Sequence, residues 1–351
     1  MTQRAIRSRA PLRLGLAGGG TDLSPFCDAY GGVVLNCTID RYAYAFIAPR
    51  DDGRTVFRAR DIGREEEHRA GAILDTDDGL RLHRCTYNHF LGGLAARGVE
   101  VGRGLTLTTV VDAPPGSGLG SSSALVVAIC EAFRVYGGEP LGLYDLARLA
   151  VEIERVRLRL DGGRQDHYAA AFGGMNFIEF FGDGRAIVNP LRVDRSILNE
   201  FEASLVLCFT GTSRDSERII REQTANMRRH DVRALDALFA LKSAAIDMKQ
   251  AVLSGEIGRI AEILAESWAS KKRTAGAVSS GALDALFEAG LAAGARAGKI
   301  SGAGGGGFMM FLVAPEDRRQ LIEGLNRAGG QASPVHLTSK GVETWLQPRA
   351  S

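Results

Sequence analysis

The chain has 351 residues, more than one small hydrophobic core requires, so we expect two domains or one large one. Apolar residues make up 45% and charged residues 24%, as in an ordinary globular protein, and a net charge of +2 argues against nucleic-acid binding. No apolar run approaches the ~18 residues of a membrane span, and the basic N-terminus lacks the apolar core of a signal peptide.

In the first half of the chain, apolar and β-branched runs predict strands, and apolar residues at helical spacing predict helices. The predicted strands are 11–17, 33–36, 42–48 and 105–112, followed by a hairpin of 176–181 with 186–190. The predicted helices are 88–97, 124–136, 143–160 and 166–172. The 44 glycines form clusters without a fixed period, so they mark sharp turns or close backbone approaches.

In the second half, the pattern restarts after a polar stretch at 191–203. A strand is predicted at 204–209 and another at 307–314. Helices are predicted at 215–227, 232–254, 257–269, 281–294 and 315–328. We therefore expect a domain boundary near residue 195, which divides the chain into domains 1–195 and 196–351.

A glycine- and serine-rich segment at 114–123, called the phosphate loop below, lies between a predicted strand and a predicted buried helix. Backbone N–H groups and the helix dipole favour an anion at such a place. Serine hydroxyls can bond phosphate oxygens or enter a Mg2+ shell. The segment has no GxxxxGK[ST] pattern, and a tight turn with Ser121 as a simple helix N-cap is the alternative.

Three carboxylates are candidates for chemistry beside this loop. Asp166 follows the turn Gly162-Gly163 and Glu154 precedes it, so one could accept a hydroxyl proton and the other could bind a metal. Asp22 follows three glycines and could accept hydrogen bonds from sugar hydroxyls. The alternatives are helix or turn caps for Asp166 and Asp22, and an exposed helix charge for Glu154.

The segment 299–308 contains four consecutive glycines directly before a predicted strand. Glycines weaken both helices and strands, so local propensity does not explain this run. We expect its backbone to pack closely against another loop or against a substrate.

Together these segments resemble the GHMP kinase family. Residues 115–123 match the phosphate loop of that family, 299–308 match its C-terminal glycine motif, and 11–22 match its N-terminal motif. The resemblance implies an α+β fold of two domains, with a ribosomal-protein-S5-like N-terminal domain and a ferredoxin-like C-terminal domain. The active site would lie in the cleft between them.

The resemblance also implies ATP and Mg2+ as cofactors and a role for each site residue. Mg2+ would be held by Ser122 and Glu154. Asp166 would accept the hydroxyl proton or hold the hydroxyl electrostatically, and Arg13 would lie beside it, keep it ionised and stabilise charge on the transferring phosphoryl group. ATP would bind Pro115, Gly116, Ser117, Gly118, Leu119, Gly120, Ser121, Ser122 and Ser123. The substrate would bind Gly19, Gly20, Thr21, Asp22, Gly163, Arg164, Gly304 and Gly305.

Within the family, residues 17–23 and 162–166 are most similar to kinases of the anomeric hydroxyl of D-glycero-D-manno-heptose 7-phosphate, which supply nucleotide-activated heptose for surface glycans. Residues 209–216 and 267–272 resemble the same subgroup. Galactokinases carry Gly-Glu-His-Thr-Asp at 18–22, where this chain has Gly-Gly-Gly-Thr-Asp, and this difference counts against galactose. The alternatives are an anomeric kinase of fucose or an N-acetylhexosamine, or a catalytically silent sugar or nucleotide sensor.

Several expectations about partners follow. A sugar phosphate substrate needs cations for its own phosphate, and on chemistry alone the candidates are Arg164, Arg214, Lys271, Lys272 and Arg273. We expect neither a nucleic-acid nor a membrane partner, and a homodimer stays open. Five cysteines without a CxxC pair favour reduced thiols in a cytoplasmic protein.

Overall fold

The computed structural model describes residues 4–212 and 216–348, which form two β-sheets packed with helices. Strands and helices are numbered in chain order. The larger sheet has eight strands. They are β1 (Ile6–Ala17), β2 (Gly32–Pro49), β3 (Arg54–Ala59), β4 (Arg64–Arg69), β5 (Gly104–Val111), β6 (Met175–Phe180), β7 (Ala186–Pro190) and β12 (Glu343–Leu346).

Their order is β12-β1-β2-β5-β3-β4, and β2 also pairs with β6, which pairs with β7. All of these pairs are antiparallel except β3 with β5. The smaller sheet is antiparallel, in the order β11-β8-β10-β9. Its strands are β8 (Leu205–Phe209), β9 (Ala297–Ile300), β10 (Phe308–Leu312) and β11 (Gln331–Pro334).

The helices of the first half are α1 (Phe26–Tyr30), α2 (Arg81–Ala96), α3 (Ser121–Tyr136), α4 (Leu143–Val151) and α5 (Gln165–Phe172). Those of the second half are α6 (Arg195–Ser204), α7 (Ser216–Arg228), α8 (Val232–Ser254), α9 (Ile257–Lys272), α10 (Gly281–Ala292) and α11 (Arg318–Arg327). A π-helical turn, Glu152–Arg157, continues α4. Such turns are rare and frequently occur at functional sites.

The main hydrophobic core lies between the large sheet and helix α3. Leu14 of β1, Leu35 of β2 and Phe133 of α3 are fully buried there. Helices α8 and α9 add Met248 and Ile263 to the same core. Helices from the second half of the chain therefore pack directly on the sheet of the first half.

The mixed architecture agrees with the predicted α+β class, and most predicted helices are confirmed with shifted ends. The predicted strands 33–36 and 42–48 are parts of one strand, β2. The polar stretch 191–203 holds helix α6, whose N-cap Asp194 accepts a hydrogen bond from the backbone of Ser196. Strands β3, β4, β9, β11 and β12 were not predicted. The division near residue 195 stays a prediction; β12, from the second half, lies in the large sheet.

Within residues 4–212 and 216–348, no helix is both long enough and apolar enough to cross a membrane.

Candidate active site

A cavity of about 570 Å³ opens where the two halves of the chain meet, a volume typical of small-molecule sites. Three segments described above contribute to its wall: the N-terminal turn (18–22), the phosphate loop, and the turn before α5. A fourth, the C-terminal glycine loop (301–307), adds Gly302 and Ala303. The cavity therefore brings together segments that lie far apart in the sequence.

Arg13 and Asp166 form a two-pronged ion pair in this cavity. Arg13 Nε donates to Asp166 Oδ1 at 2.7 Å, and Nη2 donates to Oδ2 at 2.9 Å. Arg13 lies at the inner part of β1 and is 4% exposed, whereas the Asp166 side chain at the start of α5 is 17% exposed. The carboxylate is thus oriented by a rigid strand yet still reaches the open cavity.

The phosphate loop is attached to the C-terminal glycine loop. Arg13 Nη1 donates to the Gly118 carbonyl at 2.5 Å and to Ser301 Oγ at 3.2 Å, and the backbone N–H of Phe308 donates to the Ser117 carbonyl at 2.9 Å. Gly118 has φ +76°, and a Cβ there would overlap the Ser301 carbonyl. Only glycine permits this contact between the two loops.

Glu154 lies in the π-helical turn and is fully buried behind the phosphate loop. Its Oε1 accepts from Ser122 Oγ at 2.7 Å, and its Oε2 accepts from Ser123 Oγ at 2.7 Å. His167 Nε2 lies 2.6 Å from Oε2 and Arg155 Nη2 lies 3.3 Å from it. Although the His167 nitrogen lies this close, the contact does not have the geometry of a hydrogen bond.

Burial, the largest single influence, raises the pKa of Glu154, but the charge of Arg155 and the contacts with His167 and Ser122 together outweigh it. The pKa of this carboxyl is therefore held well below its ordinary value. Glu154 is a permanent anion beside two serine hydroxyls at the N-terminal end of α3.

Asp22 is buried and accepts three hydrogen bonds. The donors are the backbone N–H of Gln165 at 3.0 Å, Gln165 Nε2 at 3.3 Å and the backbone N–H of Gly20 at 3.3 Å. Gly163 lies against the Asp22 carboxylate so closely that a Cβ would overlap it. Asp22 lines the cavity, so its carboxylate both joins the N-terminal turn to α5 and faces the ligand space.

Two buried lysines lie close to this turn. Lys271, in α9, donates to the Gly19 carbonyl at 3.1 Å and lines the cavity. Lys299, in β9, donates to the Leu16 carbonyl at 3.2 Å. Burial lowers the pKa of Lys271 to about 8, although Asp22 opposes the shift. Burial, with the charges of Lys271 and Arg13, lowers the pKa of Lys299 to about 7.

The other end of the cavity is apolar. Its wall is formed by side chains from the β3–β4 connection, α2, the end of β5 and α3, namely Ile62, Leu82, Val111, Ala113 and Leu125. A flat aromatic ring suits such a wall, since its faces need no hydrogen bonds.

Most residues singled out from the sequence line the cavity together. They are Arg13, Gly19, Gly20, Asp22, Pro115, Gly116, Gly118, Gly120, Ser121, Ser122, Glu154, Gly163 and Asp166.

Others lie elsewhere. Ser117 and Leu119 are fully buried beneath the phosphate loop, and Ser123 is engaged with Glu154. The hydroxyl of Thr21 donates to the Val33 carbonyl at 2.7 Å and accepts from the Val33 N–H at 3.0 Å, so it fastens the N-terminal turn to β2.

Arg164, Gly304 and Gly305 also lie outside the cavity wall. Arg164 stacks on the ring of Phe180 and donates to Cys27 Sγ at 3.2 Å. The two glycines pack against Val278 and Ile219, respectively, so they support the C-terminal glycine loop from behind. Arg214 lies outside the described residues, as do positions 213 and 215 of the segment 209–216.

Sequence reasoning missed some residues of the site. Arg155 and Gln165 orient Glu154 and Asp22, yet each resembles an ordinary helix residue in the sequence. Lys299 directly precedes the segment with four consecutive glycines, and its position there was the one sequence feature that could have indicated a role in the site. The apolar wall left no local signal, because its residues come from four separate elements.

Comparisons with known proteins agree with this geometry. The model for the GHMP kinases N terminal domain matches residues 83–174, and the model for the GHMP kinases C terminal domain matches 248–331. The D-glycero-alpha-D-manno-heptose 7-phosphate kinase of Campylobacter jejuni is 41% identical over 97% of this chain and 99% of that protein. A fucokinase/guanylyltransferase of Bacteroides fragilis is 25% identical over 97% of this chain and 38% of that protein.

Solved structures give the same picture. A D-glycero-D-manno-heptose 1-phosphate kinase from Bacteroides thetaiotaomicron superposes with a TM-score of 0.82 at 40% identity, over 98% of this chain and 100% of that chain. The galactokinase of Lactococcus lactis has a TM-score of 0.73 at 20% identity, over 97% of this chain and 95% of that one, and shares the fold.

Proposed function

The chain belongs to the GHMP kinase family, and we propose that it transfers the γ-phosphoryl group of ATP to the anomeric hydroxyl of D-glycero-D-manno-heptose 7-phosphate. The product is the 1,7-bisphosphate, whose anomeric phosphate is the group to which a nucleotidyl group can later be attached. The observation that carries the proposal is the Arg13–Asp166 pair, which lies in one cavity with the phosphate loop and Asp22.

The cavity offers a binding surface for each part of ATP. The base would fit the apolar wall that includes Leu82 and Val111, and the phosphates would be held by the cavity-lining residues Gly118, Gly120, Ser121 and Ser122 at the start of α3. The free N–H groups and the dipole of this helix attract the phosphates.

Ser122 and Glu154 fit a bound Mg2+, because hydroxyl and carboxylate oxygens are the ligands that this ion prefers. Mg2+ held by Ser122 and Glu154 would take its remaining ligands from phosphate oxygens and water, since this ion usually keeps several waters and binds substrate phosphates. When bound, the ion neutralises negative charge on the ATP phosphates. Arg155 and His167 hold Glu154 in place and ionised.

Asp166 takes the hydroxyl proton. The anomeric oxygen forms a bond to the γ-phosphorus, the bond from that phosphorus to the bridging oxygen breaks, and ADP leaves. Arg13 fixes the direction of the Asp166 carboxylate through two hydrogen bonds. An anomeric hydroxyl is more acidic than an ordinary alcohol, so a carboxylate is a sufficient base.

The acceptor sugar lies against the N-terminal turn. Asp22 is held rigidly by Gln165 and Gly20, and its oxygens face the cavity, where sugar hydroxyls can donate to them. The bare backbone of Gly19 and Gly20 lets a sugar ring approach closely.

The test is a coupled ADP-release assay with heptose, mannose, fucose and N-acetylhexosamine substrates, each with and without a terminal phosphate. We expect kcat/KM for heptose 7-phosphate to exceed that of every other acceptor by about 100-fold or more, because a site built for a charged group rejects analogues that lack it. Equal or better turnover of fucose would favour an anomeric fucose kinase, and no ADP release with any sugar would contradict the proposal.

A further inference from the structure

Lys271 and Lys299 are buried cations without counter-ions. They are 5% and 6% exposed, respectively. In the part of the chain that the structure describes, neither ammonium forms an ion pair, and each donates to one backbone carbonyl. Buried charges are normally paired, because an isolated one is costly to remove from water. This pair of lysines therefore carries a cost that the folded chain alone does not offset.

The surrounding charges leave an excess of positive charge. Arg13 is neutralised by Asp166, and Asp22 lies near Lys271 but outside ion-pair distance. Lys299 is close enough to Lys271 for each charge to disfavour the other, and its pKa of about 7 leaves it partly protonated near neutral pH. An anion bound beside Lys271 would relieve this imbalance, whereas a neutral hydroxyl would not.

Lys271 lies at the acceptor end of the cavity. Its Nζ donates to the Gly19 carbonyl and lies so near Gly20 that a Cβ there would be 3.1 Å away. The phosphate loop is instead joined to Arg13, whose Nε and both terminal nitrogens are engaged by Asp166, Gly118 and Ser301. Every nitrogen of the Arg13 guanidinium is therefore already engaged by the protein, whereas Lys271 has one hydrogen bond, to the Gly19 carbonyl.

The other basic candidates for a distal phosphate are less suitable. Lys272 is exposed and its ammonium lies over the ring of Trp268, and Arg273 donates to Ser270 Oγ. Arg164 is engaged outside the cavity wall. Lys271 is the member of this set, among described residues, that lines the cavity.

We propose that Lys271, with Lys299 behind it, binds the phosphate that the acceptor sugar already carries and so selects phosphorylated sugars. This inference rests on the proposed function and adds to it a residue that determines specificity. The free protein holds the cation in place with no counter-ion, and the substrate supplies one.

The test compares Lys271→Met with its exposed neighbour Lys272→Met. For Lys271→Met we expect KM for heptose 7-phosphate to rise about 10- to 100-fold, since a hydrogen bond between charged groups is lost. The ratio of kcat/KM for heptose 7-phosphate to kcat/KM for unphosphorylated heptose should fall by a similar factor, and KM for ATP should change less than KM for heptose 7-phosphate. Lys272→Met matches the wild type throughout.

Two further readouts separate binding from a structural role. Without ligands, Lys271→Met should melt at the same temperature as the wild type or higher, because an unpaired buried charge is removed. In the wild type, KM for heptose 7-phosphate should rise as pH increases above about 8, where Lys271 loses its proton, and this rise should be absent in the variant.

The inference is overturned if Lys271→Met impairs both sugars equally, if only KM for ATP changes, or if its melting temperature falls with both KM values unchanged. Failure of the proposed function looks different, because the wild type itself would then show no preference for heptose 7-phosphate.

Discussion

Single residues act here through partners that are remote in the chain. Arg13 and Asp166 are 153 positions apart, and Glu154 meets Ser122 across 32 positions. The residue types were predictable, because a proton acceptor and a metal ligand require carboxylates. The pairing was not, since it depends on how β1, α3 and α5 pack. For Thr21 the resemblance implied contact with the substrate, which stays a prediction; its hydrogen bonds to Val33, which fasten two backbone segments, had no local signal in the sequence.

At this scale, Glu154→Gln tests the buried carboxylate. The variant keeps the shape but removes the charge, so we expect the Mg2+ concentration needed for half-maximal activity to rise about 10-fold or more. It also leaves Arg155 and His167 without their anion, and breaking such a buried pair costs about 3 kcal/mol. Metal titrations and thermal melts measure both effects.

The pH dependence of the melting temperature tests whether the pKa of Glu154 is lowered in the folded protein. The pKa of Glu154 is lowered in the folded protein, so its stabilisation is complete above the unfolded value of 4.5 and is lost as pH falls further. The difference between wild type and Glu154→Gln should therefore be constant above about pH 5 and narrow below it. Glu152→Gln, at an exposed site in the same turn, is the control. A difference that grows on acidification would contradict this assignment.

At the scale of secondary-structure elements, some glycines that were predicted to bind a ligand pack against neighbouring loops and helices instead of lining the cavity. The phosphate loop was predictable from its composition and its place between a strand and a helix. The C-terminal glycine loop was predicted to pack against a loop or a substrate, and most of it packs against protein: Gly304 on Val278 and Gly307 on Ser117. The π-helical turn was predicted as plain helix, because side-chain spacing does not reveal one extra residue in a turn.

At the scale of elements, Gly118→Ala tests the contact between the two loops, with Gly138→Ala as a matched control. Both glycines have φ near +70°, at +76° and +64°, so both alanines strain the backbone by about 1 to 2 kcal/mol. A Cβ at Gly138 meets no atom within 4 Å, whereas at Gly118 it overlaps the Ser301 carbonyl.

We therefore expect Gly118→Ala to melt at a lower temperature than Gly138→Ala and to raise KM for ATP, while Gly138→Ala leaves KM for ATP unchanged. Thermal melts and steady-state kinetics report the two effects. Equal behaviour of the two variants would show that the loop contact does not shape the nucleotide site.

At the scale of the whole molecule, local patterns predicted the order of most helices but not how the strands pair. Strand β4 consists of arginine, glutamate and histidine, and the six residues of β3 include two arginines, so neither strand shows a clear apolar alternation. Strand β12 returns from the end of the chain to pair with β1, where Arg9 meets Glu343 at 2.7 Å. No local sequence pattern predicts that the C-terminal strand pairs with the N-terminal one. The cavity depends on such long-range packing, because its walls come from both halves of the chain.

The proposed reaction is tested most directly by 31P NMR of the product that the protein forms from ATP and heptose 7-phosphate. We expect a new phosphate signal coupled to the anomeric proton, formed by the wild type and formed at least ~100-fold more slowly by Asp166→Asn, which still binds ATP. A phosphate on another carbon, or product formed by Asp166→Asn at the wild-type rate, would contradict it.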